Sequence, residues 1–438
     1  MRRRARLLFL PGIAVMCGVL ACCHMLGAQT AESPLLKFFE RKSGLITFIA
    51  PDGNVHVINQ VGAGDRALTD DAGSKSGSSV LYAAVTWSPD GKRVAFSRFS
   101  INSGTVTEAS LYTVRSNGDN RLQLFTTKDL QPFYLSWSPD SRRISLLSQV
   151  AGKDDLELGV SSAEKKESYT ALDRGAPYYW DWLSDSASIA AHANAQRGGP
   201  AGERLTLITI DPAPRKTDIP VETDLFQAPD ISPDGKSIAY VRSDEKGFSL
   251  HVHGIDDSTD QTIARDMGAA YFAFAPDGRH IAYLAAFSAQ PVPQGFLSIV
   301  SLDGARKSIK VAETPVLGFF WAPDSRKLAA IVPDPSADMD PMFLNREGGL
   351  TLRIVGCDAA TAKTWTIARF PTARGLLTIL PFFDQYQRSA TIWSPDSRFV
   401  VFSAFSAGGD PSVYVARADG NHKPRLLAPG DSAFWSWK

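Results

Sequence analysis

The chain contains Trp87-Ser88-Pro89-Asp90-Gly91-Lys92, and copies of this stretch recur along most of its length. Five more copies keep Pro-Asp at the centre, with Gly or Ser next and Lys or Arg last, and they begin at Trp137, Ile231, Phe274, Trp321 and Trp393. A degenerate copy begins at Trp182. Successive copies lie 43 to 50 residues apart, except for a final interval of 72. This period matches the blades of a β-propeller, and no helical pattern competes with it.

Each copy has the composition of a tight turn between two strands. Proline presets φ, the Asp carboxylate accepts hydrogen bonds from turn amides, and Gly or Ser takes the less usual backbone position. Apolar runs such as Val94-Ala-Phe-Ser97 and Leu111-Tyr-Thr-Val114 follow the turn, which predicts four antiparallel strands per repeat. We therefore expect a structural role for the repeat residues Trp87, Asp90, Trp137, Asp140, Trp182, Asp234, Asp277, Trp321, Asp324, Trp393, Asp396 and Trp435.

The two ends of the chain each hold part of one further blade. Residues 434–438 form an aromatic first strand without its turn, and residues 45–58 hold inner strands without a first strand. Joined, they complete a blade and close the ring by strand exchange between the N- and C-termini. The predicted fold class is therefore all-β, a single β-propeller domain over residues 44–438 with eight four-stranded antiparallel blades. Seven blades is the alternative, if the copy at Trp182 or the closing blade is misread.

The amino terminus has the pattern of a secretory signal peptide. Four arginines among residues 2–6 precede an apolar stretch, and small residues end the segment at Ala28. We predict that residues 1–28 are removed and that residues 29–43 form a short linker, so that the protein is exported and periplasmic or secreted. Two alternatives stay open. One is an uncleaved membrane anchor, and the other is a lipid anchor on Cys22, because Val19-Leu-Ala-Cys22 resembles a bacterial lipobox.

Charge and cysteine content narrow the range of functions. Among the 438 residues, Lys plus Arg and Asp plus Glu number 46 each, so no basic excess favours nucleic acid. Without residues 1–28 the count is 42 basic against 46 acidic residues, and the mature chain is mildly acidic. Cys357 is then the single remaining cysteine, so no intrachain disulfide is available and packing must hold the fold together.

The repeated Trp-Ser-Pro-Asp-Gly-Lys, followed by runs such as Ile238-Ala-Tyr-Val241, resembles the WD-repeat-like propeller family of the periplasmic Tol-system protein TolB. The resemblance covers essentially all of the mature chain. It implies a propeller, and relatives with this repeat include scaffolds of translocation complexes, sensor domains and the propeller halves of prolyl peptidases. TolB carries an α/β domain before its propeller, whereas the predicted linker 29–43 is short. We therefore expect a TolB-like protein other than TolB.

Motifs that mark catalysis are missing from the sequence. We find no Gly-x-Ser-x-Gly elbow, no His-Glu-x-x-His, no phosphate-binding loop and no Cys-x-x-Cys. His251 and His253 share one face of a strand but have no identifiable third ligand, and Asp338 and Asp340 form a weak calcium pattern. We therefore expect no enzyme, no cofactor and no bound metal.

Long connections and aromatic residues gather on one face of the predicted ring, opposite the Pro-Asp turns. The longest connection between two blades contains Pro381-Phe-Phe-Asp-Gln-Tyr-Gln-Arg388. We interpret this stretch either as an exposed binding surface or as a plug that seals the axial channel. Loops on one face of a rigid repeat scaffold commonly bind partners. The candidate binding residues are Phe382, Phe383, Asp384, Tyr386, Arg388, Arg374, Tyr178, Tyr179, Phe133 and Tyr134.

These features predict a secreted or periplasmic, non-enzymatic TolB-like propeller that acts as a protein- or peptide-binding scaffold in the bacterial cell envelope. We expect a monomer without a nucleic-acid ligand, in contact with a membrane only through a lipid anchor. One alternative is a carbohydrate lyase or hydrolase at the channel face, which converging histidines or carboxylates would favour over a plugged, apolar mouth. Another is a lipid-anchored component of an envelope complex, which modification of Cys22 would favour.

Overall fold

The computed structural model describes residues 40–194, 203–223, 227–244, 247–287, 292–303, 308–311, 315–334 and 350–438. The predicted signal peptide 1–28 with Cys22, most of the linker and the Asp338 and Asp340 pair lie outside these ranges, so export, lipidation and calcium binding stay predictions. Within these ranges, no helix is long and apolar enough to cross a membrane.

The described residues form eight antiparallel sheets, which are the blades of one ring. The closing blade comprises β1 (Ile46–Ile49), β2 (Val55–Ile58), β3 (Arg66–Ala67) and, at its inner edge, β32 (Asp431–Trp435). Blade 2 comprises β4 (Gly73–Lys75), β5 (Ser78–Trp87), β6 (Arg93–Asn102), β7 (Thr105–Arg115) and β8 (Leu122–Thr127). Blade 3 comprises β9 (Leu130–Trp137), β10 (Arg143–Val150), β11 (Leu156–Ser162) and β12 (Thr170–Arg174). Blade 4 comprises β13 (Tyr178–Trp182), β14 (Ser188–Asn194), β15 (Glu203–Thr209) and β16 (Arg215–Asp218).

The remaining four blades repeat this order. Blade 5 comprises β17 (Asp230–Ile231), β18 (Ser237–Asp244), β19 (Gly247–Gly254) and β20 (Asp260–Met267). Blade 6 comprises β21 (Ala269–Phe274), β22 (His280–Ala286), β23 (Gly295–Ser301) and β24 (Ser308–Lys310). Blade 7 comprises β25 (Gly318–Trp321), β26 (Lys327–Pro333), β27 (Thr351–Asp358) and β28 (Thr364–Pro371). Blade 8 comprises β29 (Phe399–Phe405), β30 (Pro411–Arg417) and β31 (Arg425–Pro429), and its first strand is reduced to a bridge between Trp393 and Val400.

The ring closes by strand exchange between the two ends of the chain. The C-terminal β32 pairs antiparallel with β1, so that Ile46 faces Trp435. Beyond the paired residues, the amide of Ser436 donates to the carbonyl of Leu45 at 2.7 Å, and the Trp435 indole donates to the carbonyl of Ser43 at 2.6 Å. The prediction of eight blades closed in this way is confirmed, and the seven-blade alternative is excluded.

In blades 2, 3, 7 and 8, the indole N–H of the repeat motif joins the blade to the one before it. Trp137 donates to the carbonyl of Thr86 at 3.4 Å, and Trp393 donates to the carbonyl of Phe320 at 3.0 Å. In both cases the acceptor belongs to the residue just before the motif in the preceding blade. The same rule holds for Trp87 and Trp321. Because a buried N–H group needs a partner, the tryptophan positions these four blades as well as filling the space between two sheets.

The fifth residue of the motif makes a second contact between blades where it is serine. Ser141 has a φ of 64°, and its hydroxyl accepts the amide N–H of Asp90 in the preceding blade at 3.1 Å. The same contact at 3.0 Å joins Asp140 to Ser186, Asp277 to Ser325 and Asp324 to Ser397. Within the turn, Asp90 also accepts the amide of Lys92 at 3.1 Å. The repeat motif therefore connects neighbouring blades in addition to turning the chain.

The connection between blades 7 and 8 is helical, which the sequence pattern did not indicate. Helix α1 spans Arg374–Ile379, a 3₁₀ turn spans Leu380–Phe382, and helix α2 spans Phe383–Ser389. No side chain caps any of the three starts. Isolated helices of this length are marginal in water, so contacts with the ring must stabilise them.

Candidate functional site

Residues 374–389, which we call the helical plug, lie in the axial channel at the face of the long loops. The innermost strand of each blade surrounds the channel, and the plug contacts this strand, or its equivalent, in seven blades. The contacting residues are Thr86, Tyr134, Trp180, Asp230, Tyr271, Phe319 and Asp431. A segment that touches so much of the inner wall must close this end of the channel.

Apolar packing holds one side of the plug. The Phe383 ring is fully buried, with its centroid 5.1 Å from that of Phe319 and 5.8 Å from that of Tyr271. On the other side, the Tyr386 ring meets the Tyr134 ring edge to face at 5.0 Å. Buried rings in such geometry contribute through both area and specific ring contact. The plug is therefore part of the core of the propeller.

Gln385 fixes the plug to the open inner edge of β13. Its side-chain oxygen accepts the amide N–H of Trp180 at 3.2 Å, and its side-chain nitrogen donates to the carbonyl of Trp180 at 2.8 Å. The Gln385 carbonyl accepts the Tyr134 hydroxyl at 2.8 Å. The primary amide thus copies one step of a β-ladder and satisfies backbone groups that an inner strand would otherwise leave unpaired.

A pocket of about 230 Å³ opens between the plug and the first strands of the closing blade, blade 2 and blade 3. We call it the loop-face pocket. Its wall contains Tyr134, Ile379, Tyr386 and Phe434, and Phe133 lies at its edge with 43% of its surface exposed. The lining is mostly apolar and aromatic, which suits the insertion of an apolar side chain.

A second cavity, of about 310 Å³, occupies the opposite end of the channel. We call it the turn-face cavity, because the motif prolines Pro233, Pro276 and Pro323 line its rim. Pro233 and Pro276 are exposed, so the cavity opens to solvent between the turns. Its interior combines rings with polar side chains, namely Phe274, Phe320, Trp321, Trp437, Asp181, Asp230, Gln387, Arg388 and Thr391.

Arg388 links two acidic residues at the inner end of the turn-face cavity. Its Nη1 lies 2.7 Å from Asp181 Oδ2 and also donates to Asp230. Asp181 accepts the amide of Ile231 at 2.9 Å, and Asp230 accepts the amide of Phe274. Each aspartate therefore also binds the next blade around the ring.

Burial dominates the ionisation of the carboxylates around the plug. It raises the pKa of Asp230 to about 6 even though the Arg388 charge acts in the opposite direction. Burial likewise raises the pKa of Asp384 to about 6, and again Arg388 opposes the shift. The pKa of Arg388 itself is raised by Asp230 and Asp181, in spite of its burial. The guanidinium stays charged at every accessible pH.

The structure separates the predicted binding residues into exposed and buried groups. Phe133, Phe382 and Arg374 are exposed, and Tyr179 is half-buried. The others contribute to the plug or to the wall around it, which corrects the interpretation of the stretch 381–388 as an exposed surface. These are Phe383, Asp384, Tyr386, Arg388, Tyr134 and Tyr178. The segment 381–388 corresponds to the alternative interpretation, a plug in the channel.

Four residues of the site could not be identified as such by the motifs alone, namely Asp181, Asp230, Gln385 and Gln387. For the two aspartates, however, the sequence contains a signal. Each aspartate stands just before the first residue of a motif copy, at Trp182 and Ile231. In the other copies this position holds Thr86, Ser136, Ala273, Phe320 and Ile392. Comparison of the copies position by position would have shown two charges on the channel wall. The two glutamines carry no comparable signal, because they lie outside the repeat.

His251, His253 and Cys357 are the other reactive residues considered from the sequence that the structure describes. His251 lies 2.9 Å from Asp260 and His253 lies 3.7 Å from it, and no group of three metal-ligating residues occurs among the described residues. Cys357 is buried, which raises the pKa of its thiol to about 12. A thiol with such a pKa is a poor nucleophile at neutral pH.

No protein-family model matches the sequence, and no curated protein matches it. Among solved structures, the chain is similar to the dihydro-heme d1 dehydrogenase NirN, at 14% identity and a TM-score of 0.52, over 94% of this chain and 80% of that one. It is similar to an oligogalacturonate lyase solved with manganese, at 14% identity and a TM-score of 0.51, over 86% of this chain and 97% of that one. TolB from Acinetobacter baumannii matches at 18% identity and a TM-score of 0.37, over 62% of this chain and 64% of that one.

At these identities, the similarity concerns the fold alone. The resemblance to TolB-like propellers that the repeats indicated is present among the matched structures. Our expectation that the chain is not an enzyme is contradicted, because the two reported structures with TM-scores above 0.5 are named as a dehydrogenase and a lyase. The absence of sequence motifs for catalysis therefore does not mark this propeller as non-catalytic.

Proposed function

We propose that this chain is an exported TolB-like propeller that binds a protein or peptide partner of the cell envelope through its loop face, with one apolar side chain of the partner inserted into the loop-face pocket. The observation that carries the proposal is this pocket, which has an aromatic wall and the exposed ring of Phe133 at its edge. Export rests on the amino-terminal pattern of residues 1–28.

The size and lining of the pocket favour a macromolecular partner. Pockets that enclose small molecules commonly measure ~300–1,000 Å³, and the loop-face pocket is smaller, at about 230 Å³. A volume of this order suits a single anchoring side chain. Interfaces between proteins draw much of their binding energy from such anchors, in which an aromatic or long apolar group fills a well-packed pocket.

The rigidity of the pocket also supports binding. Its floor is the helical plug, which Gln385 and Phe383 fix to the ring through hydrogen bonds and ring contacts. A preformed pocket needs little ordering when the partner arrives, which lowers the entropic cost of association. Phe133 lies on β9, a strand of blade 3, and is therefore presented by a rigid element as well.

Capture from an envelope extract of the source cells tests the proposal. The exported protein serves as bait in three forms, namely wild type, Phe133→Ala and Phe287→Ala, and quantitative mass spectrometry compares the captured proteins. Phe287 is the matched control, because it is also an exposed phenylalanine but lies outside the pocket. We expect Phe133→Ala to deplete one partner at least ten-fold, whereas Phe287→Ala retains it. Equal capture by all three forms contradicts the proposal.

A further inference from the structure

The turn-face cavity contains buried hydrogen-bond donors that the protein leaves unused. Arg388 Nη1 serves both Asp181 and Asp230, whereas Arg388 Nε and Nη2 are buried and have no hydrogen-bond partner among the described residues. The side chain of Arg388 is only 9% exposed. Nε2 of the neighbouring Gln387 is also buried without a partner in the same set of residues. Buried donors without partners are costly, so three such N–H-bearing atoms on one short stretch point to a ligand that completes them.

Acceptors and donors occur together in this cavity. Two residues with carboxylates, Asp181 and Asp230, and two with N–H-bearing side chains, Arg388 and Gln387, are among those that line it. A hydroxyl group both donates and accepts hydrogen bonds, so a ligand rich in hydroxyls can use both kinds of partner. Two carboxylates beside one guanidinium disfavour an anionic ligand, and the unsatisfied donors of Arg388 disfavour a cationic one.

The rest of the lining suits a compact ligand with apolar faces. Trp321 and Trp437 are the two tryptophans among the residues that line the cavity. The volume of about 310 Å³ lies at the lower end of the ~300–1,000 Å³ typical of small-molecule sites. Such a site admits a single sugar ring and excludes a long polymer. The exposed rim at Pro233 and Pro276 gives access from solvent.

From these observations we infer that the turn-face cavity is a binding site for a small, neutral, hydroxyl-rich molecule of the monosaccharide class. Arg388 and Gln387 donate to its oxygens, Asp181 and Asp230 accept from its hydroxyls, and the rings of Trp321 and Trp437 contact its apolar faces. This site is distinct from the loop-face pocket, because the helical plug separates the two ends of the channel.

A sugar titration tests this inference. The exported wild-type protein is titrated with D-glucose, D-galactose and N-acetyl-D-glucosamine as neutral probes, and with D-galacturonate and D-glucosamine as charged comparators. Saturation-transfer NMR detects binding, and quenching of tryptophan fluorescence gives Kd, since two tryptophans line the cavity. We expect at least one neutral sugar to bind more tightly than either charged sugar. Absence of binding by all three neutral sugars at millimolar concentration, or tighter binding of a charged one, overturns the inference.

Two variants place the binding in this cavity. Gln387→Leu removes a donor that has no hydrogen-bond partner among the described residues, and we expect it to raise Kd about ten-fold, the effect of one hydrogen bond. Gln131→Leu, a half-buried glutamine on β9 outside the cavity, is the matched control and should leave Kd unchanged. Arg388→Lys keeps a positive charge for Asp181 and Asp230 while removing the planar donors, and it should weaken binding at least as much. If Gln387→Leu and Arg388→Lys both fold and bind like wild type, the inference is wrong.

Discussion

The two ends of the axial channel are bounded by the same eight blades but differ in chemistry. At the loop face, the plug packs Phe383 and Tyr386 against the inner strands and leaves an apolar pocket. At the turn face, the last residues of the same plug meet Asp181 and Asp230 in a polar, open cavity. The repeats supply similar strand positions to both ends. The difference therefore arises from one non-repeating insertion and from two aspartates in neighbouring blades.

This comparison shows how a repeat scaffold acquires distinct sites. The inter-blade contacts of Trp137 and Ser141 recur around the ring and carry no information about a ligand. The plug occurs once, and it divides a channel of approximate symmetry into two environments. If the plug is as firmly packed as its contacts indicate, replacing Phe383 must lower the free energy of unfolding much more than replacing the adjacent Phe382.

The largest expected effect is the difference in unfolding free energy between a variant at Phe383 and a variant at Phe382. Phe383→Ala removes a fully buried ring and should lower the free energy of unfolding by about 3–5 kcal/mol. Phe382→Ala removes a ring that is 45% exposed and should change it by less than about 1 kcal/mol. Urea denaturation of the two variants measures both. Similar losses from the two substitutions would show that the segment is not packed as a plug.

Asp384 gives the next largest effect, and the size of this effect depends on pH. Because burial raises its pKa from 3.8 to about 6, the folded state keeps a proton that the unfolded state has lost between about pH 4 and pH 6. Its contribution to stability therefore falls as pH rises through this window. Asp384→Asn cannot titrate, so we expect it to gain up to about 3 kcal/mol relative to wild type between pH 4 and pH 7.5.

Asp234 at the turn face is the matched control for this pH series. The Ser232 hydroxyl and the Lys236 amide hold the pKa of Asp234 below its usual value. Its ionised form stabilises the fold above the ordinary carboxyl pKa, and this contribution is lost as pH falls. Asp234→Asn should therefore lose stability relative to wild type as pH rises towards the ordinary carboxyl pKa, opposite in sign to Asp384→Asn. Chemical denaturation at a series of pH values distinguishes the two, and slopes of the same sign would contradict the assigned environments.

Substitutions of Gln385 and Gln387 compare the contributions of the two sides of helix α2 to stability. Gln385→Leu leaves the backbone N–H and carbonyl of Trp180 unpaired and should cost about 1–3 kcal/mol of unfolding free energy. Gln387→Leu removes a side-chain nitrogen without a partner among the described residues and should cost less than about 0.5 kcal/mol. Thermal and urea unfolding measure this difference. If Gln387→Leu is as destabilising as Gln385→Leu, then the side-chain nitrogen of Gln387 makes a contact that stabilises the fold.

The repeat motif made the ring predictable, because each copy holds its own turn residues and the period is regular. The incomplete strands at residues 45–58 and 434–438 were enough to predict the closure by β1 and β32. The sequence also revealed that residues 381–388 occupy a special connection. Their position in the channel was not predictable, because short uncapped helices gain their stability from distant strands such as β13 and β25.

The candidate sites were harder to predict from the sequence than the fold was. Phe133 was selected correctly as exposed, whereas the neighbouring Tyr134 points into the contact with the plug. Successive residues of a strand face opposite sides, but the sequence alone does not say which side meets a non-repeating insertion. The same difficulty concealed Arg388, whose charge is neutralised by aspartates more than 150 residues away in the chain.

Site-specific photocrosslinking provides the most direct test of the central claim, that a partner inserts a side chain into the loop-face pocket. Benzoylphenylalanine replaces Phe133 in one form of the exported protein and Phe287 in another, and each is irradiated in the source cells. We predict one predominant crosslinked species from position 133, in which the attached peptide of the partner contains an apolar anchor, and no such species from position 287. Identical crosslinking patterns at the two positions, or none at position 133, would contradict the claim.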